Sequence, residues 1–123
     1  MENSRFMFRV WDKYAHETPA EQMQFLCFNG CVVDSDGCHH SPDDYIIEQC
    51  TGLKDKNGKL IFEGDILEIS MIIKPSDKHK AKVWYNDKKA VWQLYHWDTD
   101  KTTLLSDYLD SQMEIVGNVH EEI

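Results

Sequence analysis

Short stretches of alternating side-chain character, separated by glycine-containing turns, constrain the fold of this chain more than any other feature. Near the start, Phe6, Phe8 and Val10 alternate with other residues, and similar segments recur along the sequence. A period of two is typical of β-strands, because successive side chains point to opposite faces of a sheet. The sequence therefore predicts a mostly β protein of short antiparallel strands, with at most one or two short helical turns.

Glycine-containing dipeptides mark the predicted turns. Asn29-Gly30 favours a two-residue type I′ turn, in which both central residues need positive φ. Such a turn would pair Cys27 with Val32, and would put Cys27 and Cys31 on opposite faces of the hairpin. Glycine adopts backbone conformations that a β-carbon opposes. Further structural turns are therefore predicted at Gly52, Gly58, Gly64 and Asp65.

The middle of the chain contains the strongest candidate core strand. From Ile66 to Ile73, one row of alternate residues is continuously apolar and is predicted to face the core: Leu67, Ile69, Met71 and Ile73. A short helical turn is expected near residues 106–109, before a last strand that begins at Met113. A helical turn before a closing strand indicates a small SH3-like barrel.

A hairpin is predicted between residues 81 and 97. Pairing Tyr85 with Ala90 places Val83 opposite Trp92 on a core face. The opposite face of this hairpin is rich in aromatic residues, and it carries Trp84, Val91, Tyr95 and Trp97. Contiguous apolar surface of this kind is typical of interfaces. The alternative is that the amino-terminal strand covers this face with Phe6, Phe8 or Trp11.

Length and composition exclude several classes of protein. A chain of 123 residues with 41% hydrophobic residues is suited to a single globular domain over residues 1–123. No segment has the ~20 consecutive apolar residues of a membrane helix, so we expect a cytoplasmic protein without a membrane partner. The formal net charge of −9 disfavours generic binding to nucleic acid, whose phosphates attract basic surfaces.

Residues with metal-binding side chains do not have the spacing of a zinc site. Cys38, His39 and His40 are adjacent, and one distant thiolate, such as Cys50, could join them. Structural zinc sites usually present their ligands as two close pairs, which these residues do not form. We also find no nucleophile motif and no phosphate-binding glycine loop. The sequence thus predicts neither a cofactor nor a catalytic residue, and a metal-dependent enzyme is only an alternative hypothesis.

Three segments of the chain carry a resemblance to a known family: Phe8–Asp12, the run from Gln49 to Ile66, and Glu114–Val119. Together they resemble the YopX family of small proteins encoded by phages and prophages. The resemblance implies several coiled β-sheets including an SH3-like barrel, and a bacterial cytoplasmic setting. It supplies no molecular function and no active site. We divide the domain into a variable amino-terminal β part, residues 1–50, and an SH3-like barrel part, residues 51–123.

These observations favour a non-catalytic module that forms homo-oligomers or binds a host or phage protein. The motivating feature is the aromatic face of the predicted hairpin. A second hypothesis is an acidic inhibitor that imitates the charge of DNA and blocks a host nucleic-acid-binding protein.

Overall fold

The predicted mostly β architecture is confirmed by the structure, a computed structural model that describes residues 7–12, 23–26, 32–34, 39–40 and 45–120. The described residues form eleven strands and two 3-10 turns. The strands are β1 (Phe8–Asp12), β2 (Met23–Leu26), β3 (Val32–Asp34), β4 (His39–His40), β5 (Tyr45–Lys54), β6 (Leu60–Phe62), β7 (Asp65–Ser70), β8 (Lys78–Asn86), β9 (Val91–His96), β10 (Lys101–Leu104) and β11 (Met113–Asn118). The 3-10 turns are Leu105–Asp107 and Asp110–Gln112.

The strands pair in three antiparallel sheets. The largest sheet has the order β10-β9-β8-β7-β11, and smaller sheets have the orders β1-β5-β6 and β2-β3-β4. β10 and β11 form the two edges of the largest sheet and do not pair with each other. Among the described residues, the strands therefore do not close into a ring. The SH3-like barrel is therefore not confirmed. The expected boundary between residues 50 and 51 lies inside β5, which pairs with β1 and with β6.

One face of the five-stranded sheet carries the hydrophobic core. Leu67, Ala81, Val83 and Leu94 are buried there, and Trp92 packs against them. This is the predicted core face. Leu105, in the first 3-10 turn, is also fully buried in this core.

The predicted register of the β8–β9 hairpin is wrong by two residues. Val83 pairs with Leu94 rather than with Trp92, and Asn86 pairs with Val91. The reason is the turn, in which the Asn86 side chain accepts hydrogen bonds from the backbone amides of Lys88 and Lys89. Because the shift is an even number of residues, the same side chains still face the core.

β7 is shorter than predicted, and its apolar row does not continue. Leu67 and Ile69 are fully buried, but β7 ends at Ser70, where the side chain of Gln112 binds the backbone carbonyl. Met71 and Ile73 are therefore outside the strand, and Ile73 is 99% exposed. The prediction that these two residues belong to the core is wrong.

The predicted register of the amino-terminal hairpin also differs from the observed one. β2 and β3 pair as expected, but Val32 pairs with Leu26, whereas a two-residue turn would pair it with Cys27. The expected placement of Cys27 and Cys31 on opposite faces required a two-residue turn, which the observed register does not match. Asn29 and Gly30, like both cysteines, lie outside the described residues.

Three of the residues predicted at turns have positive φ: Gly52, Gly58 and Gly64. Gly58 and Gly64 lie between strands, as predicted. Gly52 instead lies within β5, where the pairing with β6 is irregular, and Asp65 is the first residue of β7. The helical elements of the described residues are the two three-residue 3-10 turns. None of them has the length and hydrophobicity needed to cross a membrane.

Candidate functional site

A buried ionic cluster joins the two ends of the described chain. Arg9, on β1, donates hydrogen bonds from its Nη2 to Glu48 Oε1 at 2.8 Å and to Asp65 Oδ1 at 2.7 Å. Glu48 and Asp65 are only 2% and 1% exposed. Carboxylates buried to this degree require a paired cation, since leaving water costs several kcal/mol per ion. Arg9 supplies that cation, and its guanidinium also lies 4.7 Å from the centre of the Phe62 ring.

Two residues from the carboxyl-terminal segment complete this cluster. Asn118 donates from its Nδ2 to Glu48 Oε1 at 3.4 Å and to Asp65 Oδ1 at 3.3 Å. His120 Nε2 lies 3.0 Å from Glu48 Oε2. We call Arg9, Glu48, Asp65, Asn118 and His120 the ionic cluster. Its polar atoms bind one another, which is the arrangement that makes a buried polar network tolerable.

A cleft of about 230 Å³ opens beside the ionic cluster. The apolar part of its lining consists of Ile46, Ile47, Val83, Trp84 and Val119, and the polar part consists of Glu48, Glu63, Lys82 and His120 together with Gly64. Small-molecule pockets usually have volumes of about 300–1,000 Å³. This cleft is smaller, and its size suits an amino-acid side chain.

The aromatic face, defined as Trp84, Val91, Tyr95 and Trp97, lies on the side of the large sheet opposite the core. Trp84, Val91 and Tyr95 are half-buried, while Trp97 is 47% exposed. The rings of Tyr95 and Trp97 form an edge-to-face pair with centroids 6.1 Å apart. The Tyr95 hydroxyl donates to Asp100 Oδ1 at 2.5 Å, and this hydrogen bond raises the pKa of Tyr95.

The four residues of the aromatic face have different environments. Trp84 lines the cleft, and its indole N–H is buried without an acceptor among the described residues. Trp97 follows β9 in the turn to β10. The amino-terminal strand was a candidate cover for this face, but β1 pairs with β5, and Phe8 is itself 44% exposed. The side chains of Phe6 and Trp11 are outside the described part of the structure.

The residues considered for a metal site are only partly described. The backbone of His39 and His40 forms β4, and Cys38 lies outside the described residues. Cys50 is fully buried in β5, and this burial raises the pKa of its thiol. No group of three or more potential metal ligands occurs within the described ranges.

The sequence pattern did not predict the ionic cluster. It also did not predict that Leu104 lies on the exposed surface of the large sheet. The ionic residues are far apart in sequence, with Arg9 separated from Asp65 by 56 positions. A signal was present, because Arg9 and Glu48 are charged residues within strand-like apolar segments. Leu104, which pairs with Gln93 across the β9–β10 ladder, is 38% exposed on the same side of the sheet as Trp84.

The fold and the ionic cluster define a small all-β protein in which an arginine joins buried carboxylates from separate sheets. Residues 7–122 match the sequence model of the YopX protein family, and the chain belongs to this family. The match includes every segment that contributes to the ionic cluster. No functionally curated protein is significantly similar in sequence.

Two solved structures support this assignment. The yopX protein from Bacillus subtilis has a TM-score of 0.64 at 17% sequence identity, with 96% of this chain and 95% of that chain covered. The protein EF1440 from Enterococcus faecalis has a TM-score of 0.60 at 28% identity, with coverage of 94% and 93%. The first similarity establishes the fold alone.

Proposed function

We propose that this protein is a non-catalytic binding module that uses its aromatic face to associate with a second copy or with another protein. The observation that carries this proposal is the Tyr95–Trp97 pair, whose Trp97 ring remains 47% exposed. Aromatic side chains are enriched at interfaces because they bury a large area at a low cost in conformational entropy. Exposed Leu104 extends the same apolar surface across the sheet.

The chemistry of the ionic cluster also supports a binding role. Glu48 and Asp65 are the two acids of the cluster, and Arg9 binds both of them. Their carboxylates hold β1 against the rest of the chain, which is a structural role and not a catalytic one.

The family setting suggests the kind of partner. In that setting, the partner is a protein of the bacterial host or of the phage.

Light scattering over a range of protein concentrations tests this proposal. We expect Trp97→Ser to lower the measured mass of a self-associated species, or to weaken the binding of an identified partner at least tenfold. Tyr95→Ser serves as a second variant of the same face, and it leaves the lining of the cleft unchanged. Leu109→Ser, which removes a 60% exposed side chain outside this face, is the matched control. Unchanged association in both aromatic-face variants would refute the role of the aromatic face.

An acidic inhibitor of a nucleic-acid-binding protein is the second candidate, because the net charge is −9. Several acids are already bound within the chain, such as Glu114 by Lys56 at 3.3 Å and Asp98 by His79 at 2.6 Å. Added salt distinguishes the two candidates. Charge mimicry loses affinity steeply as salt is raised, whereas an aromatic interface does not.

A further inference from the structure

The turn between β7 and β8 exposes three consecutive apolar side chains. Met71, Ile72 and Ile73, which we call the apolar tip, are 40%, 67% and 99% exposed. Backbone hydrogen bonds close this turn, from the Asp77 amide to the Lys74 carbonyl at 2.8 Å and from the Met71 amide to the Asp77 carbonyl at 3.1 Å. Contiguous exposed apolar residues usually mark an interaction site. The apolar tip therefore has the properties of a docking element.

The cleft has complementary properties. Its walls include Ile46, Ile47 and Val119, and its volume of about 230 Å³ is suited to a side chain. Glu63 and Lys82 supply charges of both signs at its lining. The turn that carries the apolar tip also has both signs, because exposed Lys74 directly follows Ile73 and Asp77 closes the turn. The apolar character of the tip thus matches the apolar walls of the cleft, and Lys74 of the tip turn is complementary in charge to Glu63 of the cleft.

The apolar tip and the cleft lie at opposite ends of β7. Gly64 lines the cleft and directly precedes β7, whereas Met71 directly follows this six-residue strand. A strand of that length spans about 17 Å, at ~3.3 Å per residue. The apolar tip therefore does not reach the cleft of its own chain, and contact between the two surfaces requires a second copy.

We propose that the apolar tip of one copy docks into the cleft of the next, with Ile73 against the apolar walls and Lys74 beside Glu63. Two different surfaces meet in this contact, so it is heterologous and builds rings or filaments rather than a closed twofold dimer. The inference goes beyond the proposed function, because the apolar tip lies outside the aromatic face and the cleft shares only Trp84 with it. In this arrangement the aromatic face is left for a different protein partner. Trp97 belongs to neither the tip nor the cleft, so Trp97→Ser tests the aromatic face separately and either proposal can fail alone.

Mixing two complementary variants tests this arrangement. Ile72→Ser with Ile73→Ser removes the apolar tip, and Val119→Trp fills the cleft. We expect light scattering to show wild-type assemblies that grow beyond two chains, and to show each variant alone as a monomer. An equimolar mixture should give two-chain complexes only, because one intact tip and one intact cleft remain. Leu109→Ser should assemble as the wild type does, and near-ultraviolet circular dichroism verifies the folding of every variant.

Several outcomes would overturn the inference. These are a wild-type protein that stays monomeric at every concentration, a wild-type mass that reaches a plateau at two chains, and a mixture of folded variants that stays monomeric. Loss of assembly in Trp97→Ser together with normal assembly in the tip variant would assign self-association to the aromatic face instead.

A charge exchange gives a second, independent readout. We expect Lys74→Glu and Glu63→Lys each to weaken assembly at least tenfold, and the chain carrying both changes to recover most of it. Lys88→Glu, in the β8–β9 turn, provides the control for a charge reversal on the surface. Equal weakening in the double variant and in the single variants would refute the proposed contact between Lys74 and Glu63.

Discussion

Gly64 packs directly against Glu48, so that a β-carbon at position 64 would overlap the Glu48 carboxylate. Gly64 also has a φ of +84°, in the left-handed region that favours glycine. The position therefore imposes two separate requirements, one on the backbone conformation and one on space. Gly58 offers a comparison, because its φ is +79° but nothing lies within 4 Å of a β-carbon there.

Gly64→Ala should destabilise the protein more than Gly58→Ala. We expect Gly58→Ala to cost about 1–2 kcal/mol, which is the cost of a left-handed conformation for a residue with a β-carbon. Gly64→Ala should cost at least about 2 kcal/mol more, since it also displaces a buried carboxylate from its partners. Urea denaturation of the two variants measures the difference. Equal costs would mean that the space beside Glu48 has no energetic importance.

Replacing Arg9 with Met should strongly destabilise the fold. The change removes the guanidinium that binds both Glu48 and Asp65, and removing one partner of a buried ion pair costs about 3–5 kcal/mol. Lys56→Met is the matched control, because it breaks the exposed pair with Glu114 and should cost less than about 1 kcal/mol. Thermal and urea unfolding of both variants provide the measurement. A similar small loss in both would contradict the structural role of the ionic cluster.

Asp55 should make stability depend on pH in the acid range. Burial alone would raise the pKa of its carboxyl, but hydrogen bonds from the backbone amides of Ile115, Lys59 and Asn57 hold this pKa below the ordinary 3.8. A carboxyl group whose pKa is lower in the folded state stabilises the fold fully at pH values above its unfolded-state pKa. This stabilisation is lost as the pH falls through the folded-state pKa.

The variant Asp55→Asn tests this dependence. We expect its unfolding free energy to fall less than that of the wild type between pH 5 and pH 2, when both are measured by urea denaturation. Asp107→Asn, which removes an exposed carboxylate, is the control. Parallel profiles for the wild type and Asp55→Asn would show that the three amide hydrogen bonds do not favour the ionised carboxylate.

His79 and His96 should titrate on opposite sides of their common reference pKa of 6.5. The hydrogen bond to Asp98 raises the pKa of His79, whereas burial lowers the pKa of His96. Because its pKa is raised, protonated His79 stabilises the fold at pH values below its unfolded-state pKa, and this stabilisation is lost as the pH rises through the folded-state pKa. The pKa of His96 is lowered, so the fold favours its neutral ring and loses stability on acidification.

Nuclear magnetic resonance titration of the histidine ring protons measures both values directly. In Asp98→Asn, the pKa of His79 should fall, since the carboxylate at 2.6 Å is lost. Asp77, whose carboxylate lies 3.2 Å from the other ring nitrogen, remains in this variant and keeps part of the shift. Asp87→Asn, a change in a different turn, should leave the pKa of His79 as in the wild type. An unchanged His79 value in Asp98→Asn would show that the pair does not form in solution.

Local sequence pattern predicted the faces of the strands better than their partners. The face formed by Ala81, Val83 and Leu94 follows from alternation, which depends only on local spacing. The register depended on the Asn86 side chain binding backbone amides in the turn, and Ala90 takes a φ of 54° there. Alanine gives no signal for such a conformation. Local pattern also did not predict the end of β7. The carbonyl of Ser70 at that end accepts a hydrogen bond from Gln112, which lies in a distant segment.

The candidate sites were only partly predictable for the same reason. The residues of the aromatic face are near one another in sequence, so the alternation of side chains within one hairpin was enough to predict that they share a face. The only local signal of the ionic cluster is that Arg9 and Glu48 are charged residues within strand-like segments. This signal does not show which residues meet, since Asn118 and Glu48 are 70 positions apart. The cleft requires segments from β5, β8 and the region after β11. Only the three-dimensional structure shows that these segments meet.

The ionic cluster also limits when the protein can complete its folding during synthesis. Asn118 and His120 are synthesised more than a hundred residues after Arg9. Glu48 and Asp65 therefore lack part of their final shell of hydrogen bonds until residues 118–120 have been synthesised. Long-range contacts of this kind slow folding, because a large loop must close before they form. Nascent chains stalled before residue 118 should consequently be more sensitive to proteases than the released protein.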